Sequence, residues 1–186
     1  MTIIFTSRRQ FLGAAGALAA ASTLPFPAIA QGKPKVVVVG GGPGGATVAK
    51  YVAKDSSGAI DVTLVEPTRQ FVTCFHSNLF LGGFRSFKSI SHNYTALRKY
   101  GVRLAHTTAA AIDKDKKIVR LANGTSLPYD RLVVAPGIDI KFESVPGYSE
   151  AAAEIMPHAW KPGPQTRLLK KQLDALKDGA LIVMVA

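Results

Sequence analysis

Residues 36–46, Val-Val-Val-Val-Gly-Gly-Gly-Pro-Gly-Gly-Ala, constrain this chain more than any other stretch. Four consecutive β-branched residues read as a strand buried on both faces. Gly40, Gly42 and Gly45 then fall on a G-x-G-x-x-G spacing, and a helix is expected from Gly44 to Lys54. A second apolar run, Val62 to Val65, ends at Glu66, about 20 residues past the last glycine, where a ribose-binding acid belongs. The glycines allow a tight turn and close approach to a pyrophosphate, and the helix directs its N-terminal amides at that anion. Glu66 can accept hydrogen bonds from ribose hydroxyls, and its charge disfavours a 2′-phosphate. Strand, turn, helix and acid together imply dinucleotide binding, where the spacing alone would fit any Gly-rich turn.

The chain has 186 residues and a formal net charge of +11. Only Arg8 and Arg9 carry charge before residue 31, so nine net positive charges lie beyond it. They are scattered, with a loose cluster at Lys161, Arg167, Lys170, Lys171 and Lys177. No nucleic-acid motif organises them, so no nucleic-acid partner is expected, and the cluster reads as a solvated helix face.

Residues 1–30 read as a signal peptide outside the fold. Ser7-Arg8-Arg9-Gln10-Phe11-Leu12 has the form of a twin-arginine signal, and Ala28-Ile29-Ala30 offers an A-x-A cleavage site. The apolar core from Phe11 to about Leu24 falls short of the ~20 residues of a membrane span. A Sec signal or an uncleaved anchor is the alternative. Twin-arginine export places the protein in the periplasm and carries it there folded, with its cofactor loaded. That shifts the expected dinucleotide from freely exchanging NAD toward tightly held FAD.

Further along, Ile60 to Glu66 reads as a strand, Thr68 to about Phe84 as a loop, and Ser89 to Tyr100 as a helix with Ile90, Tyr94, Leu97 and Tyr100 on one side. Val102 to His106 reads as a third parallel strand. Ala109 to Asp113, Ile118 to Leu121 and Thr125 to Leu127 form a small antiparallel meander, with turns at Asp113 to Lys117 and Asn123-Gly124. Leu132 to Ala135 is another buried strand. Ser149 to Ile155 and Gln165 to Lys177 look helical, and Ala180 to Val185 looks like a fresh strand.

Cys74 is the only cysteine. By itself it can be an inert thiol, a reactive one, half of an intermolecular disulfide, or a covalent attachment point. His76, His92, His106 and His158 show no metal-ligand spacing, so no metal site is expected. Trp160 reads as a core or interface residue.

The chain resembles the flavoprotein subunit of flavocytochrome c sulfide dehydrogenase. The resemblance is carried by the twin-arginine signal, the glycine run through Thr47, Glu66-Pro67, Thr73-Cys74-Phe75 with Ser77-Asn78, and Tyr129-Asp130-Arg131 before Val133-Val134-Ala135-Pro136-Gly137. Pro157-His158-Ala159-Trp160-Lys161 and Gln165-Thr166 also match. It implies an α/β fold, the Rossmann-like FAD-binding domain of the two-dinucleotide-domain flavoproteins with a small β-meander. On that reading residues 31–178 are the N-terminal segment of the FAD domain, and residues 179–186 begin a second nucleotide-binding domain that is truncated here. The implied cofactor residues are Gly40, Gly42, Pro43, Gly44, Gly45, Glu66, Pro67, Cys74, Asn78, Ala109, Ala135 and Gly137. Cys74 would hold FAD through a thioether to the flavin 8α carbon. The implied substrate is hydrogen sulfide and the implied partner a c-type (dihaem) cytochrome subunit. The family's redox cysteine pair would lie past the position matching Ala186, so no catalytic residue and no turnover is expected of these 186 residues alone. A sulfide:quinone reductase relative and a non-catalytic FAD-binding module are the alternatives.

Overall fold

A computed structural model describes residues 32–184. The signal peptide read at residues 1–30 therefore lies outside the described residues. A four-stranded parallel sheet is built from β1 (Lys35–Val39), β2 (Asp61–Val65), β5 (Arg103–Ala105) and β9 (Arg131–Val134), in the order β5-β2-β1-β9. The chain runs outward from β1 to β2 to β5, then returns to the other side of β1 as β9. This is the doubly wound arrangement, with its switch in strand order beside β1.

The run of valines explains why β1 is central. Val36, Val37 and Val38 are all buried. Val36 and Val38 face a cluster with Ala49, Ala53, Val62, Leu64, Tyr94, Leu97 and Val102. Val37 faces the opposite cluster with Val65, Val119 and Leu121. Helix α1 (Pro43–Asp55), which carries Ala49 and Ala53, covers the first face. The second is covered by an antiparallel meander of β6 (Ala109–Asp113), β7 (Ile118–Leu121) and β8 (Ser126–Pro128). Strand period and β-branching thus produce three layers directly.

Three expectations need correction. Ser89 to Tyr100 is not a helix. It divides into a 3₁₀ turn (Phe87–Ile90), β4 (Ser91–Asn93) and a second 3₁₀ turn (Thr95–Tyr100). Short polar side chains compete with helical backbone bonds here: the Ser91 hydroxyl donates to the Phe87 carbonyl at 2.8 Å, and Asn93 Oδ1 accepts from the Thr95 amide at 3.1 Å. The expected inward set still holds, since Ile90, Tyr94 and Leu97 are buried. The supposed loop from Thr68 to Phe84 contains β3 (Gln70–Val72), paired antiparallel with β4, and the short helix α2 (Ser77–Leu81). Over 180–184 no strand forms, and Leu181 to Met184 are exposed, with no strand ladder to hold them among the described residues.

The remaining helices are shorter than expected. The first, α3 (Glu150–Ala153), is capped by the Ser149 hydroxyl, which accepts from the Ala152 amide at 3.1 Å. The second, α4 (Pro164–Asp174), packs against α2. Within the basic cluster Lys161 and Lys170 pair with Asp139 and Asp174, and Arg167 lies 4.0 Å over the Phe87 ring, so these three residues make local contacts. Among the described residues no helix is long and apolar enough to cross a membrane.

Candidate dinucleotide site

The site lies along the carboxyl ends of the parallel strands. The ladder continues one residue past each strand: the Gly40 amide donates to the Val65 carbonyl at 2.9 Å, the Glu66 amide to Ala105 at 3.0 Å, and the Ala135 amide to Val39 at 2.8 Å. Gly40, Glu66 and Ala135 therefore stand side by side, although they are far apart in sequence. Gly40 has φ +99°, and a Cβ there would lie 2.0 Å from the Ala135 carbonyl oxygen. Only glycine fits between the two strand ends.

Gly45 is excluded from bearing a side chain for another reason. A Cβ on it would lie 1.9 Å from the Gly40 carbonyl oxygen, so glycine is what lets α1 pack against the loop. At Gly42 and Gly44 a Cβ would meet nothing within 4 Å. These two border open space at the helix N-terminus. There no side chain caps α1, Pro43 brings no N–H, and the first turn carries no acidic residue. The first turn thus offers free amides and an unopposed positive dipole end, and it fits a pyrophosphate.

Glu66 is held by the same loop. Its Oε2 accepts from the Gly41 amide at 2.7 Å. Its Oε1 accepts from both the Thr68 amide (2.9 Å) and the Thr68 hydroxyl (2.7 Å). A carboxylate offers about four lone-pair positions, so one acceptor position on Oε2 remains for a ligand hydroxyl. His106 Nδ1 lies 3.2 Å from the Glu66 carbonyl oxygen.

Tyr94 completes this corner and was not singled out as a site residue by the sequence. Its side chain is only 5% exposed, and its hydroxyl has no hydrogen-bond partner. A Cβ on Gly41 would lie 2.7 Å from that hydroxyl and 2.8 Å from Glu66 Cγ, so ring, acid and glycine turn are in mutual contact. Burial, reinforced by the Glu66 charge and opposed by the adjacent Thr68 hydroxyl, pushes the phenol up to about 12. It is a neutral group under any ordinary condition. The pairing of β3 with β4 delivers Tyr94 to the strand ends, and no local sequence signal marks that pairing.

The other residues singled out in the sequence fall outside this corner. Pro67 is exposed just past Glu66. Gly137 follows β9 with φ +82° and open space around it. Ala109 opens β6, pairs with Leu121 and packs on the meander-side core. Asn78 is exposed on α2, and Cys74 is a free, exposed thiol. The Cys74 segment is tied to the hairpin by the Thr73 amide, which donates to the Ile90 carbonyl at 2.9 Å. No hydrogen bond links Cys74, Asn78 or Ala109 to the glycine loop among the described residues. Trp160 is 75% exposed and is not a core residue.

A doubly wound sheet with a glycine turn and an acid at its carboxyl edge defines a dinucleotide-binding domain. The family model described as pyridine nucleotide-disulphide oxidoreductase matches residues 34–170, and the chain belongs to this family of FAD-dependent oxidoreductases. Its fold is the Rossmann-like FAD-binding domain of that family. Over 48 residues it is 62% identical to the flavoprotein chain of sulfide dehydrogenase (flavocytochrome c) from Chlorobaculum thiosulfatiphilum, covering 25% of this chain and 96% of that sequence. Over 116 residues it is 28% identical to the mitochondrial sulfide:quinone oxidoreductase of Dictyostelium discoideum, covering 62% of this chain and 26% of that one. The X-ray structure of the sulfide:quinone oxidoreductase from Aquifex aeolicus superposes with a TM-score of 0.53 at 29% identity, covering 59% of this chain and 25% of that one. The chain thus spans about a quarter of the length of the sulfide:quinone oxidoreductases it matches.

Proposed function

We propose that this chain is the FAD-binding part of an exported, periplasmic sulfide dehydrogenase, which oxidises hydrogen sulfide and passes the electrons to a c-type cytochrome subunit. The observation that carries this reading is the 62% identity to a sulfide dehydrogenase flavoprotein chain. The open helix N-terminus at Gly42 to Gly45 and the tethered Glu66 support the cofactor. When bound, FAD supplies the two-electron acceptor that can hand electrons on singly. The chain's own residues bind and orient it: the first-turn amides of α1 hold the pyrophosphate, Glu66 reads the ribose, and Gly137 leaves room beside the strand ends.

Cys74 carries the flavin covalently in this reading. Its exposure keeps the sulfur accessible, and a covalent link would retain the cofactor where none can be replaced. One cysteine cannot supply the disulfide that sulfide attacks, so residues 1–186 bind cofactor without turning sulfide over. Export by the twin-arginine route rests on Arg8, Arg9 and the residues around them.

The matches to sulfide:quinone oxidoreductases favour a second reading, in which the electrons pass to a quinone. The covalent link is tested by purifying the protein from an exporting host and precipitating it with acid. Flavin that stays in the pellet supports that link. Complete release of flavin overturns the covalent link, and a preparation that never takes up flavin overturns both readings.

A further inference from the structure

Glu66 does not have room for both hydroxyls of a ribose. A cis-diol is gripped best with one hydroxyl on each carboxylate oxygen, and Oε1 is already filled by the Thr68 amide and the Thr68 hydroxyl. The amide is fixed by the backbone, but the hydroxyl can turn. It needs another acceptor to turn to, and the buried Tyr94 hydroxyl, which shares the Gly41 corner with Glu66 and makes no hydrogen bond of its own, is the protein group that can supply one.

We propose that Thr68 and Tyr94 form a hydroxyl relay that frees Glu66 Oε1 for the second hydroxyl of a ribose, which makes Tyr94 a positioning residue for the adenosine half of the cofactor. The proposal rests on the reading of this edge as a dinucleotide site. On binding, the Thr68 hydroxyl leaves Oε1 and donates to the Tyr94 oxygen. One ligand hydroxyl takes the vacated position on Oε1, and the other takes the free position on Oε2. One internal hydrogen bond is exchanged for another, and Tyr94 gains its missing partner.

The alternative is that Tyr94 serves only to pack the core. Its ring does pack against Val36, Val38, Leu64 and Leu97. A phenylalanine would supply that packing without leaving a polar atom unpaired, a state that folded proteins rarely tolerate. The hydroxyl adds nothing to the unliganded core, and its oxygen has lone pairs free to accept from Thr68.

The test titrates flavin-free protein with ADP and with 2′-deoxy-ADP by calorimetry, alongside thermal unfolding of the free protein. Wild type is expected to prefer ADP. Tyr94→Phe and Thr68→Val are each expected to weaken ADP roughly 3- to 10-fold while changing 2′-deoxy-ADP by less than about twofold. The double variant should lose no more than either single one, because the two hydroxyls act as one unit. The free Tyr94→Phe protein should unfold at the same temperature as wild type or higher. Equal weakening of both nucleotides would mark a structural role and overturn the relay, as would an unchanged preference in Tyr94→Phe. Wild type that binds neither nucleotide would overturn the dinucleotide reading as well.

Discussion

Gly45 lies so close to Gly40 that a Cβ on it would sit 1.9 Å from the Gly40 carbonyl oxygen. The last glycine of the motif is therefore a packing device, whereas Gly42 borders open space and is free to face a ligand. The two positions should respond oppositely to the same substitution. Gly45→Ala must push α1 off the loop and is expected to cost about 2–3 kcal/mol or more of stability. Gly42→Ala should leave the melting temperature nearly unchanged and weaken flavin binding. Thermal unfolding with flavin titration of both variants checks this, and equal melting temperatures for the two would contradict the geometry.

Glu66 joins the ribose position to the loop through the Gly41 amide at 2.7 Å. Glu66→Gln removes the charge and one acceptor, and it places an NH₂ against either the Gly41 amide or the Thr68 donors. Buried donors left without partners cost about 1–3 kcal/mol. Both the stability of the free protein and its affinity for FAD should fall, the affinity by about tenfold or more. Denaturant unfolding and fluorescence titration separate the two effects. Loss of affinity alone would mean that the acid acts on ligand without bracing the loop.

Much of this was legible in the sequence because its cause is local. Val36 to Val39 cannot be other than a strand covered on both faces, and period-2 alternation assigns Val37 and Val38 to opposite cores. The spacing of Gly40, Gly42, Gly45 and Glu66 gave the site because each residue type meets a steric or hydrogen-bonding demand at the strand ends. What the sequence concealed is set by long-range pairing. Ile90, Tyr94 and Leu97 have helical spacing, and they are indeed buried, but β3 captures Ser91 to Asn93 as a strand. Propensity does not reveal that pairing, so Tyr94 read as a helix-face residue and not as a neighbour of Glu66. The meander was readable from its turns: Asp113 Oδ1 accepts from the Lys116 amide at 2.9 Å, and Gly124 takes φ +84°.

Cys74 makes its structural contacts through its backbone: its carbonyl accepts from the Ser77 amide at 3.1 Å and the Ser77 hydroxyl at 2.9 Å. Its exposed sulfur contributes nothing to the core. Cys74→Ala should change stability by less than about 0.5 kcal/mol. If the thiol holds the cofactor, this variant should still bind flavin but release all of it on denaturation. Absorbance of the supernatant after acid precipitation reads the difference from wild type directly.

His158 should make the protein sensitive to acid. Burial and then the Lys161 charge hold its imidazolium below the ordinary histidine range, with Asp139 acting in the opposite sense. The Lys161 amide donates to His158 Nδ1 at 3.4 Å, which requires the nitrogen to be unprotonated. A depressed folded-state pKa gives stability that is complete above the unfolded value of about 6.5 and is lost as pH falls through the folded value. The melting temperature should therefore decline on acidification below that point. His158→Gln should flatten the decline, and an unchanged profile in that variant would assign the acid sensitivity elsewhere.

Tyr94 predicts the opposite limb. Its hydroxyl is raised from 10.0 to about 12 in the folded protein. Stability from the neutral phenol is complete below the unfolded value and is lost as pH climbs toward the folded one. The loss can reach at most about 1.4 kcal/mol per pH unit, the limit for one proton. Between these two values wild type should lose stability faster than Tyr94→Phe, so the two curves diverge. Denaturant unfolding across that range measures the slope, and ultraviolet titration identifies the late-ionising tyrosine by its absence from the variant. Parallel curves would show that Tyr94 ionises as freely in the folded protein as in the unfolded one.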